Sequence, residues 1–338
     1  MKKDISVVIL NWNGSAMLQR FLPSVIRYSE EAEIIVADNG STDHSIDILR
    51  EKFPSVRILP FRENYGFAEG YNRAIQQIET PYVLLLNDDV EVTPHWLQPL
   101  LEFMNHHPEV AACQPKILSE TQRELFEYAG ACGGFIDHLG YPYCRGRIFN
   151  HVEKDRGQYD QVCPIFWATG AALLVRTDVF RKEGGLDKRF FAHMEEIDFC
   201  WRLRSRNYGI YCIPQSTVYH VGGGTLPKSH PRKTFLNFRN NLLMLYKNLP
   251  EERLNSTLRI RYFLDLVAAL KMLLSGQVKE SMAIVKALRT FFKIRHDFYR
   301  ERKENLQKQQ LKDIPEMRNE SLLVAFYLKK KKKFEDWH

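Results

Sequence analysis

At 338 residues, 44% hydrophobic and 26% charged, the chain has the composition of an ordinary soluble globular protein large enough for a substantial core. Its net charge of +7 is unevenly spread: from Pro231 onward 24 Lys and Arg face 12 Asp and Glu, a net of +12, whereas the first 230 residues carry a net of −5. No run approaches the roughly 20 apolar residues that span a bilayer, since Tyr262 to Leu274 is interrupted by Asp265 and Lys271. Six cysteines without a C-x-x-C pair, in a chain that enters a strand at once with no signal peptide, lead us to expect reduced thiols in a cytosolic protein.

The elements alternate from the start. Ile5 to Leu10 is a β-branched apolar run that ends in Asn11-Trp12-Asn13-Gly14 and precedes a helical pattern through Leu18, Phe21, Leu22, Val25 and Ile26. Glu33 to Ala37 forms the next strand, and Asp38-Asn39-Gly40-Ser41-Thr42-Asp43 leads to a helix with Asp43 as its cap. Val56 to Leu59 is a third strand, and a loop from Arg62 to Gly70 enters a helix through Asn72, Ala74 and Ile75. Tyr82 to Leu86 is then a continuous apolar strand of the kind buried on both faces, and it closes on Asn87-Asp88-Asp89.

This order implies right-handed crossovers and an α/β fold with a mostly parallel sheet, whose ligand sits beyond the carboxyl ends of the strands. Neither G-x-G-x-x-G nor G-x-x-x-x-G-K-[ST] follows any strand, which argues against a dinucleotide dehydrogenase and a P-loop NTPase. Asp38, at the end of the second strand, can accept from a base N–H or a ribose hydroxyl. Asp88 and Asp89 would repel each other unless something positive holds them, and a divalent cation bound through oxygen fits; a solvated turn is the plainer alternative.

After Thr93-Pro94 a helix is expected through Trp96, Leu97, Leu100, Leu101 and Met104, followed by a strand over Val110 to Leu118. Phe126 to Asp160 has little periodicity and reads as hairpins and loops of a substrate face. Phe166 to Val175 reads as a strand in which small residues, Gly170 among them, let a ligand approach the backbone. Met194 to Arg204 fits a helix with Glu195 and Glu196 in its first turn, favoured there by the helix dipole or placed as a general base. Asp198 and Arg202 are spaced to pair. His220 ends a strand ahead of a glycine run, either as a structural histidine or as a metal ligand.

Taken together, these stretches resemble inverting family 2 glycosyltransferases of the GT-A fold, and more narrowly a bacterial rhamnosyltransferase-like branch. The resemblance runs from about Ile5 to Leu249 and rests on five ordered motifs: Val8 to Gly14, Asp38 to Asp43, Asn64 to Asn72, Leu86 to Val90, and Glu195 to Arg202. It implies that Asp38 contacts the base, that Asn11, Asn64, Gly66, Asn72, Asp88 and Gly170 line the nucleotide-sugar pocket, and that Asp89 binds Mg2+ or Mn2+ with His220 completing the metal site. Asn87 stands where the family's D-x-D-like motif has its first Asp. Glu196 occupies the place of the usual catalytic Asp, with Glu195 as runner-up. The family's processive members carry Q-x-x-R-W and membrane spans; this chain has neither, which implies single addition of a sugar from a UDP- or dTDP-sugar to a glycan or lipid-linked acceptor.

The expected organisation is a catalytic domain over 1–230, with a nucleotide-sugar half (1–108) and an acceptor half (109–230), and a basic helical extension over 231–338. In that extension Leu266, Val267, Leu270, Leu273, Leu274, Met282, Val285 and Leu288 recur at helical spacing among Arg259, Arg261, Lys271, Lys279, Lys286 and Arg289, and Lys329 to Lys333 adds a basic cluster. Such helices suit an anionic membrane surface on the inner face of the plasma membrane; packing on the catalytic domain or on a second subunit is the alternative. No nucleic-acid-reading module accompanies the charge. Two other classes remain: a nucleotidyltransferase, which would want a Gly- and Lys/Arg-rich loop where Asn11 to Gly14 stand, and a non-catalytic glycan-binding protein, which would have lost its acidic residues.

Overall fold

The computed structural model describes residues 3–222 and 230–337. The first half alternates β1 (Ile5–Asn11), α1 (Ser15–Tyr28), β2 (Ala32–Asp38), α2 (Ser45–Lys52), β3 (Arg57–Pro60), α3 (Gly66–Ile75) and β4 (Tyr82–Asn87). Then come β5 (Val90–Val92), α4 (Leu97–His106), β6 (Val110–Ser119) and a run of hairpins, β7 (Gly134–Asp137), β8 (Pro142–Cys144), β9 (Arg147–Ile148) and β10 (His151–Val152). The second half continues with β11 (Cys163–Pro164), β12 (Ala172–Arg176), α5 (Thr177–Lys182), α6 (Glu195–Ser205) and β13 (Gly209–His220). It ends with α7 (Pro231–Asn248), α8 (Glu251–Leu274), α9 (Val278–Ile294), α10 (Tyr299–Lys308) and β14 (Met317–Arg318).

The main sheet runs β11-β13-β6-β12-β4-β1-β2-β3, with β5 added on β13. It is parallel from β3 to β4 and mixed beyond, because β12 lies antiparallel to both β4 and β6. Helices cover both faces, which is why β1 is apolar at successive positions: Val7 and Ile9 join the core on one face and Val8 the core on the other. All six cysteines are free thiols.

Two local expectations need correction. The helix after Thr93-Pro94 begins at Leu97, because residues 90–92 form β5 against β13 and Thr93 Oγ1 then donates to Thr217 O at 2.7 Å. The strand expected from Phe166 begins only at Ala172: the Ala168 N–H goes to Cys200 Sγ at 3.4 Å and the Thr169 N–H to Gln114 Oε1 at 3.0 Å, so side chains take the place of a strand partner. Beside the Lys329–Lys333 cluster, Phe334 and Trp337 belong to the interior, against Tyr143.

The hairpin region is a second sheet of order β10-β9-β8-β7-β14, closed by β14 pairing parallel to β7. In the C-terminal region α7 packs under α9, and α8 is amphipathic in an unusual sense. Its inward positions include the ion-paired Arg261 and Asp265, whereas Ile260, Phe263, Val267, Leu270 and Leu274 face outward, with Phe263 66% and Leu274 79% exposed.

Candidate active site

The ends of β1, β2 and β4 form the floor. Register sets Asn11 opposite Asp38, with Asn87 beside Leu10. Asn11 Nδ2 donates to Asp38 Oδ1 at 2.9 Å and to Ser41 Oγ at 3.0 Å, while Asp38 Oδ2 accepts from the Ser41 N–H at 3.0 Å. Asp38 thus holds the turn after β2 in the manner of an Asx turn. Asp43 does double duty, accepting from the Ser45 N–H and from the Ser15 N–H, both at 3.0 Å, so it ties the starts of α1 and α2 together.

Asn64 Oδ1 accepts from the Gly66 N–H at 2.8 Å and from Asn39 Nδ2 at 3.1 Å. Asn39, which the sequence did not single out, also accepts from the Tyr65 N–H at 3.0 Å and so joins the second and third loops. Gly66 has a φ of +79°, and a methyl there would stand 2.6 Å from the Phe191 ring. The position therefore demands glycine for both conformation and space. Asn72 points elsewhere: its amide brackets Leu186, donating to the carbonyl at 2.7 Å and accepting from the N–H at 2.9 Å. Gly170 lies in the loop before β12, where a methyl would meet the Phe67 ring at 2.8 Å.

Asp88 occupies the space left by the absent side chain of Gly14. Burial and the neighbouring Asp89 charge push its carboxyl up to about 7. Burial acts on Asp89 in the same direction, but its bond to His220 outweighs this and holds the carboxyl below its usual range. His220, the last residue of β13, presents Nε2 to Asp89 Oδ1 at 3.0 Å and to Asn87 Nδ2 at 3.3 Å, while Nδ1 faces Glu127 Oε1 at 3.5 Å. Burial alone would lower the imidazole; Glu127 and Asp89 together raise it to about 10. Glu127 follows β6 in a stretch without periodicity, so no pattern pointed to it. The Gly223-Gly224-Thr225 part of the expected glycine run lies outside the described residues.

Among the described residues no three His, Cys, Asp or Glu side chains already converge as metal ligands. The donor set nevertheless suits a hard divalent cation: two carboxylates and one imidazole, which would give up its proton to the metal, with the half-buried Asp88 in no ion pair among the described residues.

Glu195 and Glu196 open α6 behind a segment in which Phe191, His193 and Met194 have φ values of 67, 69 and 73°. Three non-glycine residues in the left-handed region need outside support. Asn240 of α7 supplies it, Nδ2 donating to the carbonyls of Phe190, Ala192 and His193 at 3.0, 2.9 and 2.7 Å. Each of the two glutamates leaves Oε2 buried without a hydrogen-bond partner. Burial and the charge of Glu196 push Glu195 well above the carboxylate range, and burial pushes Glu196 up to about 7. Asp198 is the opposite case, joined by Lys247 at 2.7 Å, Asn248 at 2.8 Å and Arg202 at 3.2 Å, which is the structural pairing its spacing predicted.

The model of the family described as Glycosyl transferase family 2 matches residues 6–180, more than half of the chain. The chain belongs to glycosyltransferase family 2. This family 2 glycosyltransferase is 28% identical over 250 residues to the N-acetylglucosaminyl-diphospho-decaprenol L-rhamnosyltransferase of Mycobacterium tuberculosis, a match that covers 68% of this chain and 81% of the relative. Among solved structures, S. aureus TarS 1-349 in complex with UDP-GlcNAc superposes with a TM-score of 0.54 at 17% identity, covering 91% of this chain and 89% of that one. GalNAc-T7 with UDP, GalNAc and Mn2+ gives a TM-score of 0.58 at 16% identity, covering 74% of this chain and 49% of that one. At such identities the likeness establishes the fold, which is GT-A, as the sequence resemblance implied.

Proposed function

We propose that the protein is an inverting, metal-dependent glycosyltransferase that moves one hexose, rhamnose or another, from a UDP- or dTDP-sugar to a lipid-linked saccharide in bacterial surface polysaccharide synthesis. The observation that carries this reading is the presence of two acidic sites: Asp88 beside the Asp89–His220 pair at the sheet edge, and Glu195 and Glu196, without cationic partners among the described residues, at the start of α6. Asn11 and Asp38 receive the nucleoside, Asn64 and Gly66 shape the loop beside it, Gly170 leaves room near Phe67, and Asn72 positions the Leu186 loop. On this reading residues 1–108 serve the donor, 109–230 the acceptor, and 231–338 the membrane side.

The division of labour at α6 follows from charge. Two adjoining carboxylates at this helix start cannot both ionise readily, so the pair holds one proton between them, and Glu196 stands at the place of the usual catalytic Asp. Glu196 is then the ionised partner and takes the proton from the acceptor hydroxyl as that oxygen bonds to the anomeric carbon. The bond from the anomeric carbon to the diphosphate oxygen breaks with its electron pair leaving on the diphosphate, so the configuration inverts. A divalent cation held by Asp89 and His220, with Asp88 beside them, would supply the positive charge that stabilises the departing diphosphate.

A lipid-linked acceptor draws support from the name of the mycobacterial relative, from the basic C-terminal region and from the outward apolar positions of α8. No helix among the described residues is long and apolar enough to cross a membrane, so attachment through that surface is peripheral in our reading. The test is thermal stabilisation by UDP, dTDP, GDP or ADP with Mn2+ or Mg2+, on the wild type and on Asp89→Ala. We expect a metal-dependent rise with UDP or dTDP that is lost in the variant. No stabilisation by any nucleoside diphosphate in the presence of metal would overturn the donor site.

A further inference from the structure

A groove of about 1140 Å³ opens between α7, the end of α8 and α9. Its floor is apolar: Phe191, Phe235, Leu236, Leu273, Met282 and Val285. Its rim is cationic: Arg232, Arg239, Lys279, Lys286 and Arg289, with no acidic residue among those lining it. None of these five cations forms an ion pair with a described residue. Three of them lie instead against aromatic rings, Arg232 over Phe191 at 5.0 Å, Arg239 over Phe235 at 5.3 Å and Lys286 over the same Phe235 at 5.5 Å. Arg239 is half-buried and donates only to neutral oxygens, those of Asn240, Arg189 and Phe190. Burial pushes its guanidinium below the usual range with no carboxylate to offset it. A half-buried guanidinium is usually paired with a carboxylate, and Arg239 has none among the described residues.

Both ends of the groove have a meaning. At the inner end stands Phe191, whose ring abuts Gly66 of the donor loop and whose carbonyl accepts from the Phe67 N–H at 2.8 Å, four residues ahead of Glu195. At the outer end Leu273 and Met282, 48% and 67% exposed, continue into the outward apolar positions of α8. The groove therefore leads from the transfer site to an apolar surface, with positive charge along the way.

We propose that this groove binds the diphosphate and the first isoprenoid units of a polyprenyl-diphosphate-linked acceptor, the diphosphate on the Arg and Lys rim and the hydrocarbon along Phe235, Leu273 and Met282 toward the membrane. The inference rests on the reading of the acceptor as lipid-linked and gives it an address. An apolar floor alone would suit many partners; the cations without counter-ions select an anionic amphiphile.

The experiment uses the full chain in EDTA, which removes binding through a metal, and measures the affinity for farnesyl diphosphate against inorganic pyrophosphate, farnesol and vesicles of phosphatidylcholine with phosphatidylglycerol. We expect farnesyl diphosphate to bind at least tenfold more tightly than pyrophosphate or farnesol. The Lys279→Gln/Lys286→Gln/Arg289→Gln variant should lose tenfold or more, as should the single exposed change Lys286→Glu, with circular dichroism unchanged. Unaltered affinity in both variants would overturn the proposal, as would binding to anionic vesicles with none to farnesyl diphosphate, which would make the surface a membrane patch only. The donor site is scored separately by metal-dependent nucleotide stabilisation, which these variants should keep, so failure of one reading is not failure of the other.

Discussion

Asn240 Nδ2 donates to the carbonyl of His193 at 2.7 Å, and through that bond a helix of the C-terminal region fixes the backbone that delivers Glu195 and Glu196. The same amide reaches the carbonyls of Phe190 and Ala192, so one side chain holds a segment that the local φ values disfavour. The C-terminal region thus takes part in building the site.

Asn240→Ala removes that support and leaves the part-buried carbonyls of Ala192 and His193 without their side-chain donor, while Phe190 O keeps Arg239. We expect a loss of about 1–3 kcal/mol of stability in denaturant titration and a fall in kcat larger than the change in donor KM, since the donor loops are held by other residues. A variant with normal kcat would show that the 191–194 segment stands unaided.

Glu196 gives a prediction in pH. Burial raises its carboxyl to about 7, and as a base it must be ionised, so kcat/KM should fall roughly tenfold per pH unit below 7 and level off above it. The stability effect has the opposite sense. The folded state binds the proton more tightly than the unfolded chain, so the contribution of Glu196 to stability is full below the unfolded value of 4.5 and declines as pH rises through about 7. Glu196→Gln should therefore abolish transfer, stabilise the protein at pH 8 by about 1–3 kcal/mol and change little at pH 4, as thermal melts at the two pH values would register.

Glu127 faces His220 Nδ1 from the side away from Asp89. A carboxylate there orients the ring so that Nε2 stays turned to the acidic pair. Glu127→Gln should weaken Mn2+ binding about 10- to 100-fold, read by titration of the free Mn2+ signal in electron paramagnetic resonance, while UDP or dTDP binding without metal is unaffected. Equal Mn2+ affinity in variant and wild type would remove Glu127 from the site.

Gly66→Ala should be costly twice over, through a φ of +79° and through a methyl driven against Phe191. We expect destabilisation of about 1–3 kcal/mol together with a raised donor KM, measured by melts and initial rates. An unchanged KM would separate this turn from donor binding.

Much of the fold was legible because periodicity and punctuation agree in the first half. The β1 run is apolar at four successive positions from Val7 to Leu10, as a strand buried on two faces requires, and Asn and Asp close β1, β2 and β4, the strands that form the floor of the site. Asp88, Asp89, Glu195 and Glu196 could be singled out because adjacent acids at element ends are chemically conspicuous. Asn240 and Glu127 could not, since each acts through a carbonyl or an imidazole far away in sequence. Asn240 left one trace, an adjacent Asn pair, Asn240 and Asn241, just ahead of the apolar run Leu242 to Leu245. The segment from Phe166 misled because its apolar residues serve the interior as a loop, with Cys200 and Gln114 supplying bonds that no local pattern encodes.

The parallel pairing of β14 with β7 has a consequence for how the molecule is made. Asp137 Oδ2 accepts from the N–H of Leu322, 185 positions later, and Glu153 from that of Phe334, 181 later. On the ribosome, the small sheet must wait, its aromatic face uncovered, through the synthesis of all the intervening helices. The half that holds Asp38 can close early, from contacts between neighbours in sequence, whereas the hairpin sheet is sealed by residues that emerge about 180 positions after it. Maturation therefore runs from the β1–β4 half outward.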